Sequence, residues 1–295
     1  MTLTAFGDLE LRVRRRVSGL IYGDNEGVRL GPGSVAEEIV RYQPGDDVRR
    51  IDWNVTARSM EPHVWRPRAD HELETWVLLD ETPSMAFGTD ITEKGDLAAQ
   101  VAGAIGLLTD GPGNRMGVAR LTVDGMAYLR PLASRKAARR AVVTSDQPAR
   151  DGVAEVDLTT AIDELSRRAR RPGLRVIVSD LLGADGAIDR PFAWERALRR
   201  MAVRNQVVVV EIIDPRDLSL PDVGHLVLVD PESGRQREIS TSDRRTRHAF
   251  DSAARRFRSD TTAAVRSTGC QHVVLRTDQD WLLELARFVQ RWNRS

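Results

Sequence analysis

From Thr75 onward, short apolar runs alternate with stretches of helical periodicity, which limits the chain to repeated βα units around a largely parallel sheet. Trp76 to Leu79 reads as a buried strand. Leu97, Val101, Ile105 and Leu108 then recur at helical spacing, and Asp110-Gly111-Pro112-Gly113 ends that helix. Arg115 to Val123 and Met126 to Arg130 flank Asp124-Gly125, a pair suited to the two positive φ angles of a tight hairpin. One antiparallel edge is therefore expected. Asp157 is placed to cap a helix carrying Leu158, Ile162 and Leu165, which stops at Arg171-Pro172-Gly173. Strands over Leu174 to Ser179 and Gln206 to Ile213 enclose a helix through Trp194 to Met201, which makes the sheet doubly wound. His225 to Val229 and Arg237 to Ile239 predict a short extension. An arginine-rich helix from about Ser242 to Ser267, a strand at Val273 to Leu275 and a helix from Asp280 to Trp292 follow.

The first 74 residues differ, being rich in Gly, Pro, Arg and Asp with weak periodicity. They predict a small irregular β-type subdomain over 1–74, ahead of an α/β domain over 75–295. With 41% hydrophobic residues the chain can fill a core. Its longest unbroken apolar run, Val207 to Val210, falls far short of the roughly 18 residues of a membrane span. Met1 to Glu10 lacks a basic start followed by an apolar run, so a cytoplasmic protein is expected. Cys270 is the only cysteine and the five histidines are scattered, which excludes an internal disulfide and a cysteine-built zinc site. Lys94 and Lys136 are the only lysines among 44 basic residues, and the formal net charge is +1. The arginine clusters at Arg12 to Arg16, Arg135 to Arg140 and Arg167 to Arg171 read as solvated helix faces, so nucleic-acid binding is not expected.

Ligands of open α/β sheets bind beyond the carboxyl ends of the strands, so function is sought there. Three of the predicted strands end in aspartate: Asp80, Asp180 and Asp214. Taken singly, each is first of all a turn-former or cap. In Asp80-Glu81-Thr82-Pro83-Ser84, oxygen-bearing side chains at alternate positions can turn toward one point. A hard cation such as Mg²⁺ takes about six oxygens, and one carboxylate with two hydroxyls supplies half of that shell.

Asp80-x-Thr82-x-Ser84, between an apolar strand and a helix, resembles the DxSxS motif of the von Willebrand factor A metal-ion-dependent adhesion site, and Asp180 is similar to the aspartate which that family places after its fourth strand. The resemblance implies a site at Asp80, Thr82, Ser84 and Asp180 that holds Mg²⁺ short of ligands, so that a partner's carboxylate completes the shell. It implies binding rather than catalysis. The position of that family's further coordinating threonine falls on Val156, which offers no oxygen, so weak rather than tight binding is expected.

Arg41-Tyr42-Gln43-Pro44-Gly45-Asp46-Asp47-Val48-Arg49-Arg50-Ile51-Asp52-Trp53-Asn54-Val55-Thr56-Ala57-Arg58 resembles the signature of the bacterial domain-of-unknown-function 58 family. Segments at Val229 to Gly234 and Thr277 to Leu282 resemble later parts of it. Read physically, Pro44-Gly45 supports a turn, Asp46, Asp47 and Asp52 can pair with Arg49, Arg50 and Arg58, and Trp53 is a large apolar plug. A charge-paired brace between the subdomain and the sheet is preferred to a direct partner-binding surface. The resemblance implies an accessory protein to a MoxR-type AAA+ ATPase, acting on client proteins in chaperone-like maturation of complexes.

The main rival is a Mg²⁺-dependent phosphatase-like enzyme with Asp80 as nucleophile. Such chemistry needs a second acid two residues later, where this chain has Thr82. No GK[ST] phosphate loop, GxSxG elbow or HExxH occurs, so ATP hydrolysis is assigned to another chain. A protein that binds anionic partners or nucleic acid through its arginine clusters is the remaining alternative.

Overall fold

The computed structural model describes residues 7–13, 37–67, 73–89, 92–144, 156–183, 186–229 and 236–292. The central sheet contains β3 (Glu74–Asp80), β4 (Arg115–Thr122), β5 (Gly125–Ala133), β6 (Leu174–Ser179), β7 (Gln206–Ile213) and β10 (Gln271–Arg276). Its order is β10-β7-β6-β3-β4-β5, parallel throughout except for β5. Numbered by appearance and read from the β5 edge, the sheet strands run 3-2-1-4-5-6, the doubly wound order with its switch point between β3 and β6. An antiparallel third strand completes the von Willebrand factor A-like arrangement. The hairpin forms where expected, but of Asp124 and Gly125 only the glycine takes a positive φ, 102°. Gly125 already pairs with Thr122, so the turn sits one residue earlier than the sequence suggested.

Alternation along the strands divides the core into two layers. Val77 and Leu79 of β3, with Val176 and Val178 of β6, face the helix at residues 7–13 (α1), α3 (Lys94–Leu108), α4 (Ser134–Thr144) and α8 (Trp281–Trp292). Trp76, Leu78 and Ile177 face α5 (Leu158–Arg168), α6 (Glu195–Ala202) and α7 (Arg244–Ser267). Asp157 caps α5 as expected, accepting from the Thr160 amide at 2.8 Å.

The arginines from Arg135 to Arg140 do lie on a helix, α4, as the sequence suggests, but that helix also buries a face of small residues, Ala137, Ala138, Ala141 and Val142. It lies close against α3. A Cβ added at Gly106 would come within 2.6 Å of the Ala138 Cβ, and one at Gly103 within 2.6 Å of Val142. Residues 7–13, assigned by sequence to the small subdomain, form a helix whose Leu9 and Val13 belong to the core of the sheet. The rest of the N-terminal region contains the antiparallel pair β1 (Glu37–Arg41) and β2 (His63–Pro67), a 3₁₀ turn at Val48–Arg50 and the short helix α2 (Trp53–Ser59). A third sheet pairs β8 (His225–Val229) with β9 (Gln236–Ser240).

Candidate functional site

Parallel register at the switch point brings the ends of β3 and β6 together, because Leu79 pairs with Val178 and the next residues leave the sheet side by side. Asp80, 2% exposed, is closed on both oxygens. Oδ1 accepts from the Thr82 hydroxyl at 2.7 Å and the Thr82 amide at 3.1 Å, while Oδ2 accepts from the Ser179 hydroxyl at 2.6 Å. The Thr82 and Ser84 hydroxyls lie 3.2 Å apart. Thr82 and Pro83 open a 3₁₀ turn through Met85, which holds the loop over the strand end. Asp80, Thr82 and Ser84 thus converge as the spacing predicted.

Asp180 is buried beside them but serves a different partner. Its Oδ2 accepts from Lys94 Nζ at 2.7 Å, and its Oδ1 from the Leu182 amide at 3.1 Å. Lys94, the first residue of α3, is 1% exposed and also stands 3.5 Å from Asp217 Oδ2. The residue after Asp180, Leu181, is held at φ 60°. A buried leucine in that left-handed region costs about 1–2 kcal/mol and persists only where its surroundings fix it. Here the Ser179 hydroxyl accepts the Leu181 amide at 2.9 Å.

The third strand-ending aspartate, Asp214, accepts from the Thr89 amide and hydroxyl at 3.0 and 2.6 Å, from the Thr277 hydroxyl at 2.8 Å and from the Arg216 amide at 2.9 Å. Its amide donates to Asp217 at 2.8 Å, so Asp214 works as a cap that ties three loops.

The electrostatics follow from these contacts. Burial first, then the neighbouring Asp180 charge, raises the Asp80 pKa to about 6, against three hydrogen bonds that lower it. Burial alone would pull Lys94 down, but Asp180 and Asp217 more than offset it and hold the ammonium above its ordinary value. Burial pushes Asp214 up, yet its hydroxyl and amide donors prevail and keep it below the usual carboxylate range.

These residues do not fit a tight Mg²⁺ site. Val156, at the position of the missing threonine, is an apolar neighbour of the core. Asp180 already has the Lys94 ammonium at hydrogen-bond distance, which a divalent ion would have to displace from a buried site. Lys94 escaped the sequence reading, although a signal existed. A chain that uses arginine almost everywhere keeps one of its two lysines here, where a compact ammonium is buried against Asp180.

The signature segment departs from its reading. Pro44-Gly45 does turn, with Gly45 at φ 111° and the Asp46 amide on the Gln43 carbonyl at 3.0 Å. Asp46 accepts from the Gln43 amide at 2.8 Å, Asp47 from the Arg49 amide at 3.0 Å, and Asp52 from the Asn54 and Val55 amides at 2.9 and 3.0 Å. Neither Asp47 nor Asp52 has an arginine partner among the described residues. Four-residue local geometry favours capping, since an aspartate reaches the amides two or three residues on before it reaches a mobile guanidinium. Trp53 is not a plug. It is 72% exposed at the start of α2, Met60 at the C-cap of the same helix is 87% exposed, and Arg49 and Arg58 are exposed as well. Tyr42, half-buried, donates its amide to the Pro62 carbonyl at 2.8 Å and so joins the two ends of the segment.

The family described as "Protein of unknown function DUF58" matches residues 38–260. An uncharacterized protein of Mycobacterium tuberculosis H37Rv is 45% identical over 296 residues, covering 99% of this chain and 90% of its own. Another of Mycobacterium avium is 44% identical over 139 residues, 47% of this chain and 78% of its own. Among solved structures, BatB from Bacteroides thetaiotaomicron is similar over 76% of this chain and 100% of its own, at 12% identity and a TM-score of 0.43. A von Willebrand factor type A protein from Catenulispora acidiphila is similar over 75% of this chain and 42% of its own, at 12% identity and a TM-score of 0.39.

Proposed function

The chain belongs to the DUF58 family, and from that premise we propose that it is a non-catalytic protein-binding partner of a MoxR-type AAA+ ATPase, assisting the maturation or assembly of client proteins in the cytoplasm. The observation that carries the reading is the closure of Asp80 at the sheet's carboxyl edge. Asp80, the one candidate nucleophile, is buried with both oxygens accepting from hydroxyls, so no phosphoryl group can approach it in line. Apolar side chains are turned outward instead, with Trp53 and Met60 exposed on a hairpin built by backbone caps. Exposed aromatic and methionine side chains are the composition of anchors for a partner. No helix among the described residues is long and apolar enough to cross a membrane.

In this reading the edge is a degenerate adhesion site in which Lys94 supplies the positive charge, and docking runs through protein contacts without a bridging ion. The test is capture of the MoxR-type ATPase from the same organism by the tagged full chain, with ATP, with ADP, and in chelator. Capture that persists in chelator is expected. Failure in every nucleotide state would overturn the partnership, and loss in chelator alone would restore the Mg²⁺-bridged mechanism.

A further inference from the structure

The carboxyl edge also carries a cleft of about 570 Å³ that the cluster at Asp80 does not use. One wall is the first half of α7, where Phe250, Ala253, Ala254 and Phe257 recur at i, i+3, i+4 and i+7 to make an apolar stripe. The facing wall is Leu226 and Leu228, two residues apart on β8 and therefore on one face of the small hairpin. A two-stranded hairpin is marginal in water unless its apolar face is covered. The strands β8 and β9 pair only with each other, and the cleft lies between their apolar face and the helix stripe.

The charged residues that line the cleft are Arg216, Asp217 and Arg258, of which Asp217 faces Lys94 and Arg258 is paired with Glu211. Helix α7 carries seven arginines against two aspartates, and Arg247, Arg256 and Arg258 are paired with Asp222, Asp189 and Glu211. The remaining arginines of the helix have no such carboxylate partner among the described residues. Arg216, which lines the cleft from the loop after β7, is exposed, and its guanidinium makes no ion pair there either. An occupant that matches this mouth brings carboxylates, and one that matches the walls brings aliphatic side chains along a rod.

The geometry points to this cleft as a docking groove for an acidic amphipathic helix of a partner protein, its aliphatic face laid between α7 and β8 and a carboxylate against Arg216. The assignment rests on the protein-binding role proposed above and gives it a second surface, since the groove shares no residue with Trp53 and Met60. Helix recognition is preferred to strand addition because the walls are side chains rather than an open backbone edge.

The test uses the full chain and a fluorescein-labelled synthetic helix with leucine on one face and glutamate on the other, followed by anisotropy. Binding that weakens as salt rises is expected. Ala253→Trp fills the groove and should weaken it by about tenfold, as loss of an anchor pocket does. Arg216→Glu should weaken it several-fold, and a lysine version of the peptide should not bind. Leu228→Ser is the second groove variant if Ala253→Trp does not fold. Unchanged affinity in both folded groove variants, or equal binding of the lysine peptide, would overturn the groove. Wild-type peptide binding without ATPase capture would leave the groove standing and sink only the partnership.

Discussion

At the carboxyl edge of the sheet, Asp80, Asp180 and Asp214 are buried and each carboxylate is fully engaged, by hydroxyls, by an ammonium or by amides. In the signature hairpin, Asp47 is exposed and Asp52 half-buried, and each is bonded only to backbone amides a few residues ahead. The two regions use the same residue type under different dielectric conditions. Removing a partner from a buried charge strands it without water, whereas losing a surface cap lets water take over. The sheet edge therefore sets the stability of the molecule. The hairpin determines what the molecule presents.

The sharpest way to break that contrast is Lys94→Met. It leaves Asp180 buried without its ammonium and should cost about 3–5 kcal/mol, read by denaturant unfolding, with near-complete loss of folded protein if the wild type is marginal. Lys94→Met combined with Asp180→Asn should recover a large part of the loss, since the stranded charge is then gone. Because Lys94 is held above its ordinary 10.5, this contribution is present at all pH values below that range and does not vary between neutral pH and mild acid. A Lys94→Met chain as stable as wild type would dissolve the distinction between the two regions.

Asp80→Asn should act in the opposite direction. The folded-state value of about 6 lies above the ordinary 3.8, so the native chain holds a proton that the unfolded chain has released. Stability contributed by Asp80 is thus present at low pH and lost as pH rises from about 4 to about 6, after which a constant penalty remains. Asn removes the charge and keeps an acceptor for Thr82. The variant should be more stable than wild type by on the order of 1–2 kcal/mol at pH 8, with the difference vanishing near pH 4. Destabilisation at pH 8 would show that the charged form is needed, as a cation-binding edge would require.

Both variants probe the part of the site that was only half legible in the sequence. The spacing of Asp80, Thr82 and Ser84 foretold their convergence because a strand-to-loop exit has few conformations, and the sheet order followed from the alternation of apolar runs. Lys94 was invisible as a partner of Asp180 because the contact joins positions 86 residues apart through tertiary packing, which periodicity does not encode. The buried face of α4 was illegible for the converse reason: alanines between arginines read as a solvated helix face, and the close approach to Gly103 and Gly106 of α3 is a tertiary contact. At the signature, composition suggested ion pairs and a buried tryptophan. Asp47 and Asp52 instead find nearby amides, and Trp53, the first residue of α2, is exposed.

A smaller effect is expected for Asp52→Ala, which removes the cap of α2. The loss should be about 1 kcal/mol and local, visible as faster amide exchange at Asn54 and Val55 while exchange in β3 and β6 stays unchanged. Spread of the effect into the sheet would mean that the hairpin braces the core after all, as the sequence reading preferred.

The smallest change in stability belongs to Trp53→Ala, and it separates presentation from support most directly. A side chain 72% exposed buries little area on folding, so its truncation should move unfolding by no more than about 0.5 kcal/mol. If the indole is there for a partner, the same variant should lower ATPase capture several-fold, because anchors of this type hold a disproportionate share of binding energy. Met60→Ala, at the other end of the same short helix and more exposed still, should do the same to a lesser degree. A structural role predicts the reverse pairing, a measurable loss of stability with capture in proportion to the folded fraction. Trp53→Phe distinguishes the two further: it keeps an aromatic face for a partner and should recover most of the capture, while leaving stability where Trp53→Ala left it.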